Sequence, residues 1–303
     1  MRRALGEGSK PGWLAAPGLL TLVLLAIVAS TLAPAAGGSA SAGPGRGRAF
    51  AAGAAVAPAN PCRRPRLHLR CPDLIMSAPS ELEFDRSTIP GRVLLRATSS
   101  VNNRGLGPIE VSAHRVGPHR WATWQAIYDR HGRRRLFGVR AQLVFKHVSG
   151  QRYGVGYVGD ASYWKLAHLA SFQLWSVARS GRRYSALQRV RTGPKLDYCL
   201  RDLTLTKPSR RSPGSAVYGA CREDPNLRRD VFGTSVGWSD IYPYSYPEQW
   251  IDVTGLRGIF AYVQIADPRR LFHETDEADN VSETYVALPS GRILGHRVGV
   301  SRP

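Results

Sequence analysis

Between residues 92 and 288 the apolar side chains recur at alternate positions in short runs, and Gly, Pro, Asn or Asp interrupts each run before a helical stripe can develop. A period of two places the apolar residues of a run on one face of a strand. Strands are therefore predicted over residues 92–98, 109–113, 140–146, 163–177, 195–205, 249–253, 259–266 and 281–288. Many short strands separated by turn residues, with little helix, point to an all-β fold: an antiparallel β-sandwich with long loops.

The amino terminus bears on the compartment. Arg2, Arg3 and Lys10 precede an uncharged run from Trp13 to Leu32 rich in Leu, Val and Ala, and small residues follow from Ala33 to Ala36. This is the pattern of a secretory signal peptide over residues 1–35. An uncleaved anchor is the other reading, because the run approaches the roughly 20 residues that span a bilayer. Residues 36–60 are mostly Ala, Gly, Ser and Pro, a composition expected to form a disordered spacer. Residues 61–303 suffice for one domain with its own core, and no internal repeat is visible. The mature chain is expected to carry no membrane span and to be secreted or held at the cell surface.

Four cysteines, Cys62, Cys71, Cys199 and Cys221, fit such an oxidising compartment. Three pairings are open. The local pairs Cys62 with Cys71 and Cys199 with Cys221 close short loops and are the expected ones; a zinc site is the alternative, but no pair has the close spacing that zinc favours.

The formal charge is +20, and loss of residues 1–35 removes three basic residues and one acidic residue to leave +18. A field of that sign attracts an anionic cell-surface polymer, lipid head groups or nucleic acid without choosing among them. The basic runs Arg130 to Arg135 and Ser209 to Arg211 read as solvated loops, with no recognition helix or RNA-binding signature beside them. "GYVGDAS" at residues 156–162 lacks the lysine of a phosphate loop.

Six segments in order carry a further signal: "CPDL" (71–74), "VLLRATSSVNNRGLGPIEV" (93–111), "WQAIYDRHG" (124–132), "GPKLDYCLRD" (193–202), "GWSDIYPYSYPEQWIDVTGLRGIFAYVQIADP" (237–268) and "HETDEADNVSE" (273–283). Together they resemble the catalytic domain of the lysyl oxidase family in its bacterial form, over about Cys71 to Glu283. The resemblance implies a copper-dependent amine oxidase acting on peptidyl lysine or small primary amines. Its cofactor, lysine tyrosylquinone, forms from a lysine and a tyrosine; Lys195 precedes "YCLRD" and Tyr242 lies in the "G-x-x-D-x-Y" stretch, so these two match the crosslinking pair. The family also supplies copper through three histidines at alternate positions of one strand. Counting back from "SFQL" (171–174), those positions fall at Ala161, Tyr163 and Lys165, or in the neighbouring register at Asp160, Ser162 and Trp164, and none is histidine. His168 lies nearby and reads as a partly buried strand residue with a hydrogen-bond partner. Tyr163 and Lys165 are expected to fill the vacated place, the lysine amine taking some of the space of the cation.

The segment "HETDEADN" supplies Glu274, Asp276, Asp279 and Asn280. Crowded oxygen ligands suit calcium, and the resemblance joins them to Asp73 and the Leu74 carbonyl as a structural calcium site; a solvated acidic loop is the other reading. Two functions follow from the sequence. One is an exported amine oxidase working through Lys195 and Tyr242. The other is a copper-free, catalytically degenerate domain that binds an anionic surface polymer or a protein partner.

Overall fold

The strand Leu94–Asn103 organises the domain, because other strands line up along both of its edges. In the computed structural model, which describes residues 59–148, 152–153, 156–157 and 160–301, it pairs with Leu74–Met76, Ser80–Asp85, Trp238–Tyr242 and Trp250–Asp252, and Thr204–Leu205 extends the sheet beyond Trp238–Tyr242. A second sheet runs in the order Arg183–Thr192, Ala170–Ser180, Gly258–Ala266, Val281–Leu288, Arg292–Val300. A third joins Leu69–Arg70, Arg120–Asp129, Ile109–Gly117 and Arg229–Thr234, with Arg134–Val139 also on Arg120–Asp129. Leu143–Val148 and Ala161–Leu166 form a separate antiparallel pair.

Among the described residues every strand pairing is antiparallel, and the only helical turns are the short Pro61–Arg63 and Pro65–Leu67. Both expected disulfides, Cys62–Cys71 and Cys199–Cys221, are present. The fold is thus the all-β sandwich with long loops that the alternating pattern predicts. The expected signal peptide and the spacer up to residue 58 lie outside the described residues. Asn60, expected at the spacer's end, is tied to the domain: its amide donates to the Glu274 carbonyl and the Glu277 carboxylate. No helix among the described residues is long and apolar enough to cross a membrane.

Two predicted strands need correction. Residues 163–177 form two strands, Ala161–Leu166 and Ala170–Ser180, separated by a turn at which His168 takes φ 59°. Its backbone amide donates to Asp197 Oδ1 at 3.0 Å, so a side-chain acceptor from the next segment stabilises the break. His168 is a turn residue, not a strand residue. Residues 195–205 are mostly irregular, with only Thr204–Leu205 extended as a strand. Reciprocal bonds between Leu166 and Tyr198, a bond from the Ala170 amide to the Leu196 carbonyl, and a left-handed Leu200 (φ 57°) lock this segment in place. Gly193 opens it: a Cβ there would lie 2.5 Å from the Trp250 carbonyl oxygen, so only glycine lets the chain approach closely enough to carry Lys195 inward.

Leu94–Asn103 is buried at every position except Thr98. Leu95, Ala97 and Val101 join the core with Leu74, Phe172, Leu174, Tyr198 and Tyr262. The other face carries Leu94 and the polar Arg96, Thr98, Ser100 and Asn102. There Arg96, fully buried, donates to Asp85 at 2.8 Å, to Thr88 at 3.1 Å and to the carbonyls of Tyr244 and Tyr246 at 3.2 and 3.0 Å. Hydrogen bonds from Thr88, Ser87 and Arg96 outweigh burial and hold the Asp85 carboxyl below the usual carboxylate range. The two Tyr carbonyls belong to the segment that follows Tyr242, so this buried pair also fixes one wall of the candidate site. Arg96→Met should lower stability by about 3–5 kcal/mol, because it strands the Asp85 charge. Urea unfolding should show this as a fall in midpoint, and Asp85→Asn in the same chain should restore much of the loss.

Candidate functional site

The two residues expected to form the crosslinking pair come from separate elements and meet in the interior. Tyr242 ends the strand Trp238–Tyr242, and Lys195 follows the turn at Gly193. Lys195 Nζ lies 3.7 Å from the centroid of the Tyr242 ring and 4.5 Å from those of Tyr198 and Tyr246. It donates to the Asp197 carbonyl at 2.6 Å. The three tyrosines also pack on one another edge to face, Tyr242 at 4.5 Å from Tyr198 and 4.8 Å from Tyr246. The Cys199 amide donates to the Tyr242 hydroxyl at 3.3 Å, so the disulfide-tethered segment orients that ring. Burial, and then the neighbouring Lys165 charge, push the Lys195 amine well below its ordinary proton affinity. Burial and the Asp240 carboxylate push the Tyr242 phenol up.

Lys165 and Tyr163 lie beside this pair. Both project from Ala161–Leu166 on the same strand parity as Ala161. Lys165 is fully buried, and its amine donates to the Tyr246 hydroxyl at 2.7 Å; the Tyr163 hydroxyl bonds the same atom at 2.7 Å. The Lys165 amine is 3.9 Å from Glu248 Oε2, while Lys146 holds Glu248 Oε1 at 2.5 Å and Asp197 at 3.2 Å. Burial lowers the Lys165 amine to about 8 against the pull of Glu248. Asp240, also interior, accepts from the Leu200 amide at 3.1 Å and leaves Oδ1 without a hydrogen bond. Burial raises its carboxyl to about 7, opposed by Arg201, Lys195 and Lys165. Beside this network opens a cavity of about 310 Å³ lined by Tyr163, Arg201, Glu223, Tyr242 and Tyr246, and the buried Lys195 packs on the rings of Tyr242 and Tyr246.

The donor set does not suit copper. Copper in a nitrogen site wants imidazoles converging on one point, whereas the strand presents a methyl group, a phenol and an amine. The two histidines nearest in sequence are engaged elsewhere. His147, opposite Ser162, bonds Ser162 Oγ at 3.1 Å and faces Asp160 at 3.1 Å in an exposed position. His168 occupies the turn already described. Trp164, on the other parity, packs on Trp121 at 4.9 Å.

The acidic loop is assembled around Glu274, which is buried and accepts from the Leu74 amide at 2.7 Å and the Asn280 amide at 2.9 Å. Burial and the neighbouring Asp267 push its carboxyl well up. Asp73 accepts from the Asp276 amide at 3.1 Å. Asp279, raised to about 6 by burial and by Asp73 and Asp276, leaves Oδ1 unpartnered, as does Asn280. The expected calcium residues are thus neighbours, but among the described residues no three His, Cys, Asp or Glu side chains are grouped closely enough to hold a metal ion.

The sequence reading missed Lys146, Asp197, Asp240, Tyr246 and Glu248. Asp240, Tyr246 and Glu248 lie inside the conspicuous 237–268 stretch; Lys146 has no local signal. Residues 233–237, "GTSVG", also spell the Gly-x-Ser-x-Gly pattern of a nucleophile elbow, which the sequence reading wrongly took to be absent. Ser235 is not a nucleophile here: it is buried, its hydroxyl donates to Asp202 at 2.7 Å, and no helix follows. Compared with protein-family models and with curated proteins, the chain has no match.

The buried charges give stability a characteristic pH dependence. Between the ordinary carboxyl value of 3.8 and about 7 the folded Asp240 holds a proton that the unfolded chain releases, so its contribution makes stability fall as pH rises. Between about 8 and 10.5 the unfolded Lys165 holds the extra proton, so stability rises with pH. Urea unfolding across this range should show Asp240→Asn flattening the acid limb and Lys165→Met the alkaline limb; unchanged slopes would mean that these groups titrate as if in water.

Proposed function

We propose that the chain is an exported, lysyl oxidase-like β-sandwich that binds an anionic cell-surface polymer and does not itself oxidise amines. The observation that carries this reading is the strand Ala161–Leu166. Where the resemblance asks for copper-binding imidazoles it carries Ala161, Tyr163 and Lys165, and the Lys165 amine is buried against the Tyr246 hydroxyl. A protonated amine repels a metal cation, and an alanine offers it nothing. The formal charge, +20 for the whole chain and +18 without residues 1–35, supports the polymer as partner, since it favours polyanions over neutral or cationic ones.

The second reading, amine oxidation through a lysine tyrosylquinone, draws on the 3.7 Å approach of Lys195 to the Tyr242 ring. The purified protein, exposed to copper and air, separates the two. The binding reading expects copper far below one per chain, a negative quinone stain, no peroxide from a diamine, and an intact mass with no Lys195–Tyr242 crosslink. Stoichiometric copper with a positive stain would restore the oxidase.

For the acidic loop we propose a structural calcium on which Asp73, the Leu74 carbonyl, Glu274, Asp276, Asp279 and Asn280 would have to close in, since without the ion their carboxylates are not grouped closely enough to hold it. Burial and the repulsion of Asp73 and Asp276 that together raise Asp279, and the unpartnered oxygens of Asp279 and Asn280, support it. Calcium at a hundred times its dissociation constant would stabilise the fold by about 2.7 kcal/mol. Thermal unfolding with calcium against chelator should show that gain in the native chain and its loss in Asp279→Ala; equal melting in both conditions would return the loop to a solvated role.

A further inference from the structure

Five arginines from three distant stretches line a single cavity of about 650 Å³: Arg63 and Arg64 beside the first disulfide, Arg140 after the strand Arg134–Val139, and Arg269 and Arg270 after the strand Gly258–Ala266. One carboxylate, Glu277, shares the cavity. It lies 4.0 Å from Arg63 and 3.7 Å from Arg270 and also accepts from the Asn60 amide. Arg64, Arg140 and Arg269 are exposed and have no ion pair or side-chain hydrogen bond among the described residues. The cavity therefore gathers five guanidinium groups against one carboxylate, with three of them unengaged.

The backbone that carries these groups is fixed. Buried Asp267 accepts from the amides of Leu271 and Phe272 at 2.8 and 2.9 Å, and its own carbonyl accepts from the Arg270 amide at 3.0 Å. Gln125 and His273 exchange two further bonds at 2.8 and 2.7 Å. The 62–71 disulfide holds the amino-terminal wall. Convergence of like charges on a rigid frame is unfavourable without a counter-ion; guanidinium forks pair with carboxylate and with phosphate two bonds at a time, and a tetrahedral phosphate can meet forks that converge from several directions. The volume lies within the roughly 300–1,000 Å³ of sites that enclose a ligand of many atoms. Buried Phe272 and part-buried Val139 and Leu271 supply apolar surface beside the charges.

We infer that this cavity is the seat of a linear polyanion bearing successive phosphate groups, and that Arg64, Arg140 and Arg269 supply its main contacts. The inference rests on the polymer-binding reading and gives it a place and a chemical class.

Inorganic tripolyphosphate is the probe, with polygalacturonate as a carboxylate polymer and orthophosphate as the single-group control, each titrated calorimetrically into the full chain at two salt concentrations. Tripolyphosphate should bind more tightly than the other two. Arg140→Ala with Arg269→Ala should weaken it roughly a hundredfold, about 2.8 kcal/mol, because it removes two of the three unengaged guanidinium groups. Arg189→Ala with Arg191→Ala, an equal charge loss on the second sheet, should change it by less than about threefold, because salt screens unlocalised charge over about 8 Å. Unchanged melting temperatures would establish that both variants fold. Equal losses in the two variants would overturn the cavity while leaving polymer binding in place. Equal binding of polygalacturonate, lost with the cavity arginines, would overturn phosphate as the class. Absence of binding by any polyanion to the native chain would overturn the inference together with the reading on which it rests.

Discussion

An ammonium group cannot enter the middle of a sandwich unless something replaces its water, and around Lys195 the replacement is three tyrosine rings, one carbonyl and the field of nearby carboxylates. Desolvation of such a group costs several kcal/mol. Each ring face returns about 0.5–2 kcal/mol, so the three rings offset part of the cost, and Glu248, Asp240 and Asp197 act in the same direction. Those carboxylates are shared: Glu248 lies between Lys146 and Lys165, and Asp240 is opposed by Arg201, Lys195 and Lys165. The segments carrying these groups therefore have to dock together, because each alone would bring an uncompensated charge inside.

Lys165 makes this arrangement self-contained. Its amine binds the Tyr246 hydroxyl, which also meets Tyr163, so one phenol joins the strand Ala161–Leu166 to the loop that follows Tyr242. That same loop offers the Tyr244 and Tyr246 carbonyls to Arg96 from the other side. Tyr246 is thereby held between a buried guanidinium and a buried amine, and the wall of the candidate site needs no further ligand to fix its position.

The fold class was legible in the sequence because strand alternation survives wherever one face meets the core, as in Val281–Leu288, whose predicted and observed limits coincide. It was less legible where the decisive partner lies far along the chain. Nothing within residues 163–177 announces a break at His168; the acceptor that stabilises it is Asp197. Residues 195–205 have the composition of a strand, yet Cys199–Cys221, the Leu166–Tyr198 bridge and the bond from Leu200 to Asp240 hold them in another shape. Strands such as Arg183–Thr192 and Arg292–Val300 were missed because they lie at the edges of a sheet, where exposed positions carry arginine and apolar residues alike. For the site, the resemblance marked Lys195, Tyr242, Tyr163 and Lys165, which do come together. It could not mark Lys146, which reaches Glu248 and Asp197 only through the pairing of Leu143–Val148 with Ala161–Leu166.

The acidic loop and the arginine cavity are two faces of one electrostatic unit. Within residues 273–280, Glu277 turns toward Arg63 and Arg270, whereas Asp276 and Asp279 turn toward Asp73, and the Asn60 amide joins the two sides by bonding both Glu277 and the Glu274 carbonyl. On one side positive charge is in excess; on the other, burial and the neighbouring Asp73 and Asp276 raise Asp279 to about 6. A cation on the acidic side and an anion on the basic side would each relieve the repulsion that its own side suffers, and each would favour the same placement of the loop between them.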